Sequence, residues 1–269
     1  MHPFLNIANL AAREAGKLIL KGYDRRAHLH IQEKSPNDFV SEIDLAAEQL
    51  LIDAIKTAYP DHSILAEESG AQTETPKAEV QWIIDPLDGT NNFVKGIPHF
   101  SISLAVEVNG KIEHGLIYDP VRDEVFTASK GKGAYLNNQR LRVSKTTHLG
   151  EALIGTGFPY ATTEDAYTMY SELFTTLLPQ CADMRRMGSA ALDLAYLAAA
   201  RFDAFFESGL QSWDIAAGAL MVKEAGGFIS DFAGGENYLT TGNVFAGNPK
   251  IYKALVQLLG PTLPSRWRK

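Results

Sequence analysis

The sequence predicts an α/β fold of the α+β kind, and three observations carry that prediction. Apolar residues recur at helical spacing near the N-terminus. Short strand-forming runs separated by turn signals follow between Ser63 and Ser144, and strand and helix signals alternate after Gly150. At 269 residues and 45% hydrophobic content the chain can bury one large core or two linked ones. We divide it into an N-terminal α+β part, 1–145, and a C-terminal α/β part, 146–269. No run approaches the roughly 18 apolar residues of a membrane span. The first turns carry Arg13, Glu14 and Lys17 rather than the apolar core of a signal peptide, so a cytoplasmic protein without membrane partners is expected. The single Cys181 excludes an internal disulfide, and a net charge of -7 argues against a dedicated nucleic-acid binder. The basic end, Arg266 to Lys269, reads as a solvated tail.

In chain order, Phe4, Ile7, Ala8, Ala11, Ala15, Leu18 and Ile19 mark an amphipathic helix running to about Tyr23. Lys34 to Asp38 reads as a polar connector. Ser41 is placed to cap a second helix with Leu45, Leu50, Leu51, Ile55 and Ala58 on its apolar face, stopped by Pro60. Asp44 lies in that helix's first turn, where an acid suits the helix dipole. Ser63 to Ala66 form a short strand that delivers Glu67 and Glu68 to its end. Neighbouring side chains on a strand point to opposite faces, which favours Glu67 as the one that reaches a shared cluster. Residues 71–79 read as a mobile polar loop.

The central stretch is Trp82 to Phe93. Trp82, Ile83 and Ile84 favour a buried strand, which Pro86 and Gly89 are expected to end at Asp85. Asp85 and Asp88 are then close, and two carboxylates held together repel unless a cation neutralises them or one takes up a proton. A divalent metal is the simplest resolution. Thr90 and the N–H groups of Asn91 and Asn92 open a short helix, a seat for a phosphate oxygen. An EF-hand loop does not fit, because Leu87 and Gly89 stand at ligand positions, and the ending of a Walker A loop is missing.

Phe100–Val108, Lys111–Tyr118 and Glu124–Thr127 read as antiparallel strands, with Asn109-Gly110 as a hairpin turn. Gly131 to Asn138 start a further strand that Arg140 to Ser144 close. Ser144 to Gly150 form a link to the second part. There a strand at Ala152–Gly155 and a helix from Glu164 to Leu178 precede a small-residue helix opened by Gly188. A strand from Phe202 ends in Glu207, which is placed either to accept from substrate hydroxyls or to form a surface salt bridge. The next helix, with Ser212 or Asp214 as its N-cap, stops at Gly226-Gly227.

Three motifs in this order carry a resemblance. Glu67-Glu68, then Asp85-Pro86-Leu87-Asp88-Gly89-Thr90 with Asn92-Phe93, then Trp213-Asp214-Ile215-Ala216-Ala217-Gly218 followed by Glu224 to Gly227, resemble the inositol monophosphatase family. The likeness runs from the Lys34–Asp44 segment to the terminal helix, and Arg185 to Gly227 look most like the bacterial members. It implies the layered α-β-α-β-α sandwich of the inositol monophosphatase and fructose-1,6-bisphosphatase type. It also implies a lithium-sensitive, homodimeric Mg²⁺-dependent phosphatase that hydrolyses inositol 1-phosphate by direct attack of a metal-activated water. By motif position Glu67, Asp85, the Leu87 carbonyl, Asp88 and Asp214 would hold roughly two or three Mg²⁺ ions. Glu67, Thr90 and Asp85 would be catalytic, with Glu67 and Thr90 positioning the water. Asp88, Gly89, Thr90 and Asp214 would meet the phosphate end of the substrate. Gly188, Ser189, Ala190 and Glu207 would meet the inositol ring, with Arg185 nearby, and Lys34, Asp44 and Glu68 would form an outer shell.

Elementary chemistry agrees with a hard cation. The acids offer only oxygen, and the seven histidines show no paired ligand spacing, so zinc is not expected. Relatives with this motif act on fructose bisphosphate, nucleotide bisphosphates, NADP or histidinol phosphate, which leaves those substrates as alternatives. Phosphatases that attack through aspartate separate their two acids by one residue, whereas two residues separate Asp85 and Asp88. A non-catalytic regulatory or scaffold protein on the same fold is the alternative from another class.

Overall fold

The computed structural model describes residues 2–26, 31–35, 38–72, 79–158, 164–264 and 267. Helix α1 (Pro3–Asp24) starts where His2 caps it and Pro3 presets the backbone of its first turn. Its stripe of Leu5, Ala8, Ala11, Ala12, Ala15 and Ile19 is buried, and α2 (Glu42–Ala58) packs beside it. Gly22 admits the second helix, since a Cβ there would lie 2.7 Å from Ile43 Cγ1. Strands β1 (Ile31–Ser35) and β2 (Asp38–Ser41) pair as an antiparallel ribbon. The connector expected at 34–38 is therefore partly strand, with Pro36 and Asn37 outside the described residues. Ser41 caps α2 as expected, but the buried face is Asp44, Ala47, Glu48, Leu51 and Ile55, while Leu45 is 54% exposed.

The first sheet has eight strands: β3 (Ser63–Ala66), β4 (Gly70–Gln72), β5 (Val80–Asp88), β6 (Ser101–Val108), β7 (Lys111–Asp119), β8 (Glu124–Ser129), β9 (Gly133–Leu136) and β10 (Gln139–Arg140). Their order is β10-β9-β8-β7-β6-β5-β3-β4, and β3 runs parallel to β5. Asn109 and Gly110 join β6 to β7 with φ of 50° and 76°, a turn whose twist suits a hairpin. The closure expected over Arg140 to Ser144 is strand only as far as Arg140; Val143 instead donates its N–H to the Ala225 carbonyl. Of the loop expected at 71–79, Ala71 and Gln72 belong to β4, and residues 73–78 lie outside the described residues.

Strand β5 does not end at Asp85. Asp85 pairs with Ser103 and Asp88 with Ser101, with the register broken between them. One extra residue on β5 makes a bulge, and Pro86 falls inside it, where no ladder donor is required. Residues three apart on an unbroken strand face opposite sides, so the bulge is what turns Asp88 to the side of Asp85.

The second sheet runs β12-β11-β13-β15-β14, built from β11 (Leu153–Thr156), β12 (Asp183–Arg185), β13 (Ala204–Glu207), β14 (Phe228–Ser230) and β15 (Val244–Gly247). Helices α5 (Ala190–Ala198) and α6 (Ser212–Glu224) lie between the two sheets, sharing one core with Ile83, Ile117 and Phe126 on one side and Phe205, Val244 and Ala246 on the other. Every residue of α5 is buried, as a helix covered on all sides requires. Helices α1 and α2 cover the far face of the first sheet, and α4 (Glu164–Leu177) and α8 (Pro249–Leu259) that of the second. The result is the five-layer α-β-α-β-α order. Two short helices, α3 (Thr90–Lys95) and α7 (Tyr238–Thr241), fill turns. Trp267 packs against the α4–α8 core, so at that position the expected solvated tail is corrected, while its other residues lie outside the described ones. No described helix is long and apolar enough to cross a membrane.

Candidate active site and metal centre

The bulged end of β5, the turn after β3 and the first turns of α5 and α6 meet at one point. There Asp85, Asp88 and Asp214 each offer an oxygen, and these atoms all lie within 4.8 Å of one another. Local donors aim each acid. The Leu87 N–H donates to Asp85 Oδ1 at 3.0 Å, and the Gln211 N–H donates to Asp214 Oδ2 at 2.7 Å. Asp88 Oδ2 accepts from the Ser189 hydroxyl at 2.6 Å and the Ala191 N–H at 2.8 Å. One oxygen of each acid is thus held, and the other is left to face its neighbours. Gln211, not Ser212 or Asp214, is the N-cap of α6; Asp214 is the third residue of the helix and reaches back to the Gln211 N–H. Capping and clustering are one arrangement at this residue.

Burial pushes the Asp85 carboxyl well above the usual carboxylate range, and Glu67, Asp88 and Asp214 push it further. Asp214 is raised by burial and then by Asp88. Asp88 is raised by burial despite the donors from Ser189 and Ala191. Acids that retain protons because they are buried together are the arrangement that a divalent cation relieves. A donor set made only of oxygens fits Mg²⁺.

Thr90 stands beside this centre. Its hydroxyl lies 2.9 Å from Asp44 Oδ1 and 3.0 Å from the Leu87 carbonyl. Asp44, 1% exposed, accepts the Ser41 N–H and hydroxyl on its other oxygen, so it holds both the start of α2 and Thr90. Glu67 hydrogen-bonds Asp85 through its side chain and donates its N–H to the Ile84 carbonyl. Sequence reasoning missed Glu48. Its two oxygens accept the Glu68 and Ser69 N–H groups at 2.8 and 2.9 Å, clamping the turn that carries Glu67. The signal was its place one turn after Asp44, on the same helix face.

Gly89 adopts a left-handed backbone with φ of 96°, and a Cβ there would lie 3.1 Å from the carbonyl oxygens of Gly188 and His99. The central turn therefore touches the segment Gly188, Ser189 and Ala190 directly. Glu207 is 7% exposed, which rules out the surface salt bridge. Burial, then Asp193 and Asp214, raise its carboxyl well above the usual range, and a Cβ on Gly157 would collide with its Oε1. Arg185 does not join the site: it lies on edge strand β12 in an ion pair with Asp183 at 2.5 Å. Arg186 is the arginine whose charge acts on Glu207 and Asp193, with its guanidinium over the Phe158 ring at 5.5 Å. Glu68 occupies the clamped turn, and Lys34 lies in β1 with its side chain outside the described residues.

The family sequence model for inositol monophosphatases matches residues 1–261. The chain belongs to the inositol monophosphatase family. Among proteins of similar sequence, a Nus factor SuhB of Pasteurella multocida is 51% identical over 269 residues, all of both chains. The structure of extragenic suppressor protein suhB from Bartonella henselae aligns with a TM-score of 0.92 at 40% identity, covering 96% of this chain and 98% of that one. An inositol monophosphatase from Anabaena (Nostoc) aligns with a TM-score of 0.84 at 36% identity, covering 98% of each chain. The inositol monophosphatase fold is thus the fold expected from the three motifs. The Nus factor name of the Pasteurella relative leaves the expectation that nucleic acid plays no part without support.

Proposed function

We propose that this member of the family is a Mg²⁺-dependent phosphomonoester hydrolase acting on inositol 1-phosphate. The observation that carries the proposal is the convergence of Asp85, Asp88 and Asp214 within 4.8 Å, beside a Thr90 hydroxyl held at Asp44. Glu67, Asp85, the Leu87 carbonyl, Asp88 and Asp214 would hold the ions, roughly two or three of them. When bound, Mg²⁺ supplies positive charge for the phosphate oxygens, the attacking water and the leaving oxygen.

The chain's own groups do the rest. Thr90 donates its hydroxyl in a hydrogen bond to Asp44, which leaves its oxygen lone pairs to accept from a water, and Glu67 accepts from the same water on the side of Asp85. The backbone at Gly89 and Thr90 faces the phosphate. Gly188 to Ala190 and Glu207 line the side of the alcohol, where a carboxyl that keeps its proton longer can both donate to and accept from a hydroxyl. Water then displaces the alcohol in line, with no covalent phosphoenzyme. Lithium inhibition, a homodimer and a cytoplasmic location belong to the same proposal. So does the division at 145/146, which leaves the eight-stranded sheet in one part and the five-stranded sheet in the other.

Phosphate release from inositol 1-phosphate should require Mg²⁺ and stop in EDTA; full turnover in EDTA would overturn the metal assignment. An isotopically chiral phosphate ester should give inverted phosphate, whereas retention would mean a phosphoaspartate. Fructose bisphosphate, NADP, nucleotide bisphosphates and histidinol phosphate, assayed side by side, rank the substrates. The second reading is a regulatory scaffold, favoured by the Nus factor name of the 51% identical relative. If the two roles are separable, Asp85→Asn should remove phosphate release and leave that role intact.

A further inference from the structure

On the face of the first sheet away from α5 and α6, helix α1 packs over β6 and β7, and β8 and β9 continue beyond it as the floor of a groove. The wider part of this groove is a cavity of about 520 Å³, lined among others by His2, His114, Lys130, Lys132, Tyr135 and Asn138. That volume lies within the range of small-molecule sites. A second pocket of about 200 Å³ adjoins it, shares Thr127 and Asn138 with it, and includes Asn9, which follows the cavity-lining Leu5 by one turn of α1. None of these residues belongs to the carboxylate centre.

Four features of the groove point to one class of ligand. First, the rings of His2 and His114 stack at 4.0 Å and 21°, giving a flat wall. His114 is held by Ser129 Oγ at 2.9 Å, and burial followed by the charge of His2 lowers its pKa to about 4, so the His114 ring is neutral at pH 7. Second, Tyr135 lines the same cavity, its ring fixed by a bond from its hydroxyl to the Lys132 carbonyl at 3.1 Å. Third, Lys130 and Lys132 stand on the hairpin loop, and no carboxylate lines the large cavity although the chain's net charge is -7. Lys130 is paired with Glu113 at 2.7 Å, whereas Lys132 has no ion pair among the described residues. Glu224 pins the loop by accepting the Gly131 and Gly133 N–H groups, both at 2.7 Å. Fourth, Asn9 Oδ1 is buried without a hydrogen-bond partner. A buried acceptor without a donor is costly, and a ligand N–H would satisfy it.

We propose that this groove binds a nucleoside monophosphate whose base carries an exocyclic amino group, such as adenosine 5′-phosphate. The base lies between the His2–His114 stack and Tyr135, the amino group donates toward Asn9, and the phosphate meets Lys132 with Lys130 behind it. The proposal is independent of the phosphatase reading, since it uses none of the same residues.

The test is calorimetric titration of the full chain in EDTA, so that the carboxylate centre holds no metal to bind phosphate. Adenosine 5′-phosphate should bind at least about tenfold more tightly than inorganic phosphate, because stacking adds to the charge term. It should also bind more tightly than inosine 5′-phosphate, which has a carbonyl in place of the amino group. Tyr135→Ala and Lys132→Ala should each weaken binding at least about fivefold. Lys132 is exposed, so its substitution tests the site without disturbing the fold. Asp85→Asn should leave the affinity unchanged. No binding at millimolar nucleotide, binding indifferent to both groove variants, or binding lost with Asp85→Asn would each overturn the proposal.

Discussion

Glu48 governs Glu67 at one remove, through the two N–H groups that follow it in the turn. Glu48→Gln replaces one of those acceptors by a donor at nearly constant volume. The Mg²⁺ concentration for half-maximal phosphate release should rise about 10- to 100-fold, as for residues that orient ligands. A lowered melting temperature with an unchanged Mg²⁺ requirement would reduce Glu48 to a packing residue. Glu207 gives a complementary test on the side of the alcohol: Glu207→Gln should slow turnover of inositol 1-phosphate more than that of a simple aryl phosphate. Equal losses would remove it from substrate contact. The motif acids were legible because acids at strand ends beside proline and glycine serve no apolar core. Glu48 was not, since a helix read for its apolar period conceals a buried acid lying on the same face. Arg185 and Arg186 are adjacent, and adjacent residues leave a strand on opposite sides, so composition alone could not choose between them.

The bulge in β5 and the contact of α5 with α6 determine how far the site can be altered. Gly218 on α6 faces Leu194 on α5, and a Cβ there would lie 2.5 Å from Leu194 Cβ. Gly218→Ala should therefore part the helices, at a cost of about 1–3 kcal/mol. Because Ser189 and Ala191 at the start of α5 hold Asp88, the same variant should also raise the Mg²⁺ requirement. Thermal unfolding and a Mg²⁺ titration of one preparation check both, and a fall in melting temperature alone would show that α5 moves without Asp88. The Asn109-Gly110 hairpin was legible because its turn chemistry is local. The resumption of β5 at Asp88 was not, since it depends on the partner Ser101 across the ladder, which a proline rule does not see.

For the whole molecule, the buried acids make stability depend on pH and on the ion together. The folded-state values of Asp85, Asp88 and Asp214 lie above the ordinary aspartate value of 3.8. Their contribution is therefore complete below that pH and is lost as pH rises through the raised values. His114 acts in the opposite sense. Its folded value of about 4 is depressed from 6.5, so its contribution is present above 6.5 and lost as pH falls toward 4. Being partly exposed, it is the smaller term. In EDTA the melting temperature should fall as pH rises above 3.8, and Mg²⁺ should remove most of that slope. Equal slopes with and without Mg²⁺ would mean that the acids do not share an ion. The five layers were reached through motif resemblance. Local periodicity marks strands but carries no signal that β11 pairs with β12 and β13 rather than with the first sheet.

The bond from Ser189 to Asp88 joins residues 101 positions apart, and Asp214 arrives later still in the chain. A chain emerging during synthesis, with only its first sheet formed, offers an ion Asp85 and Asp88 without the groups that aim Asp88. The grip comes when α5 and α6 slot between the sheets. A divalent ion that needs all three acids would thus be captured last in the order of assembly, and free magnesium bound there would draw forward those chains that have completed both halves.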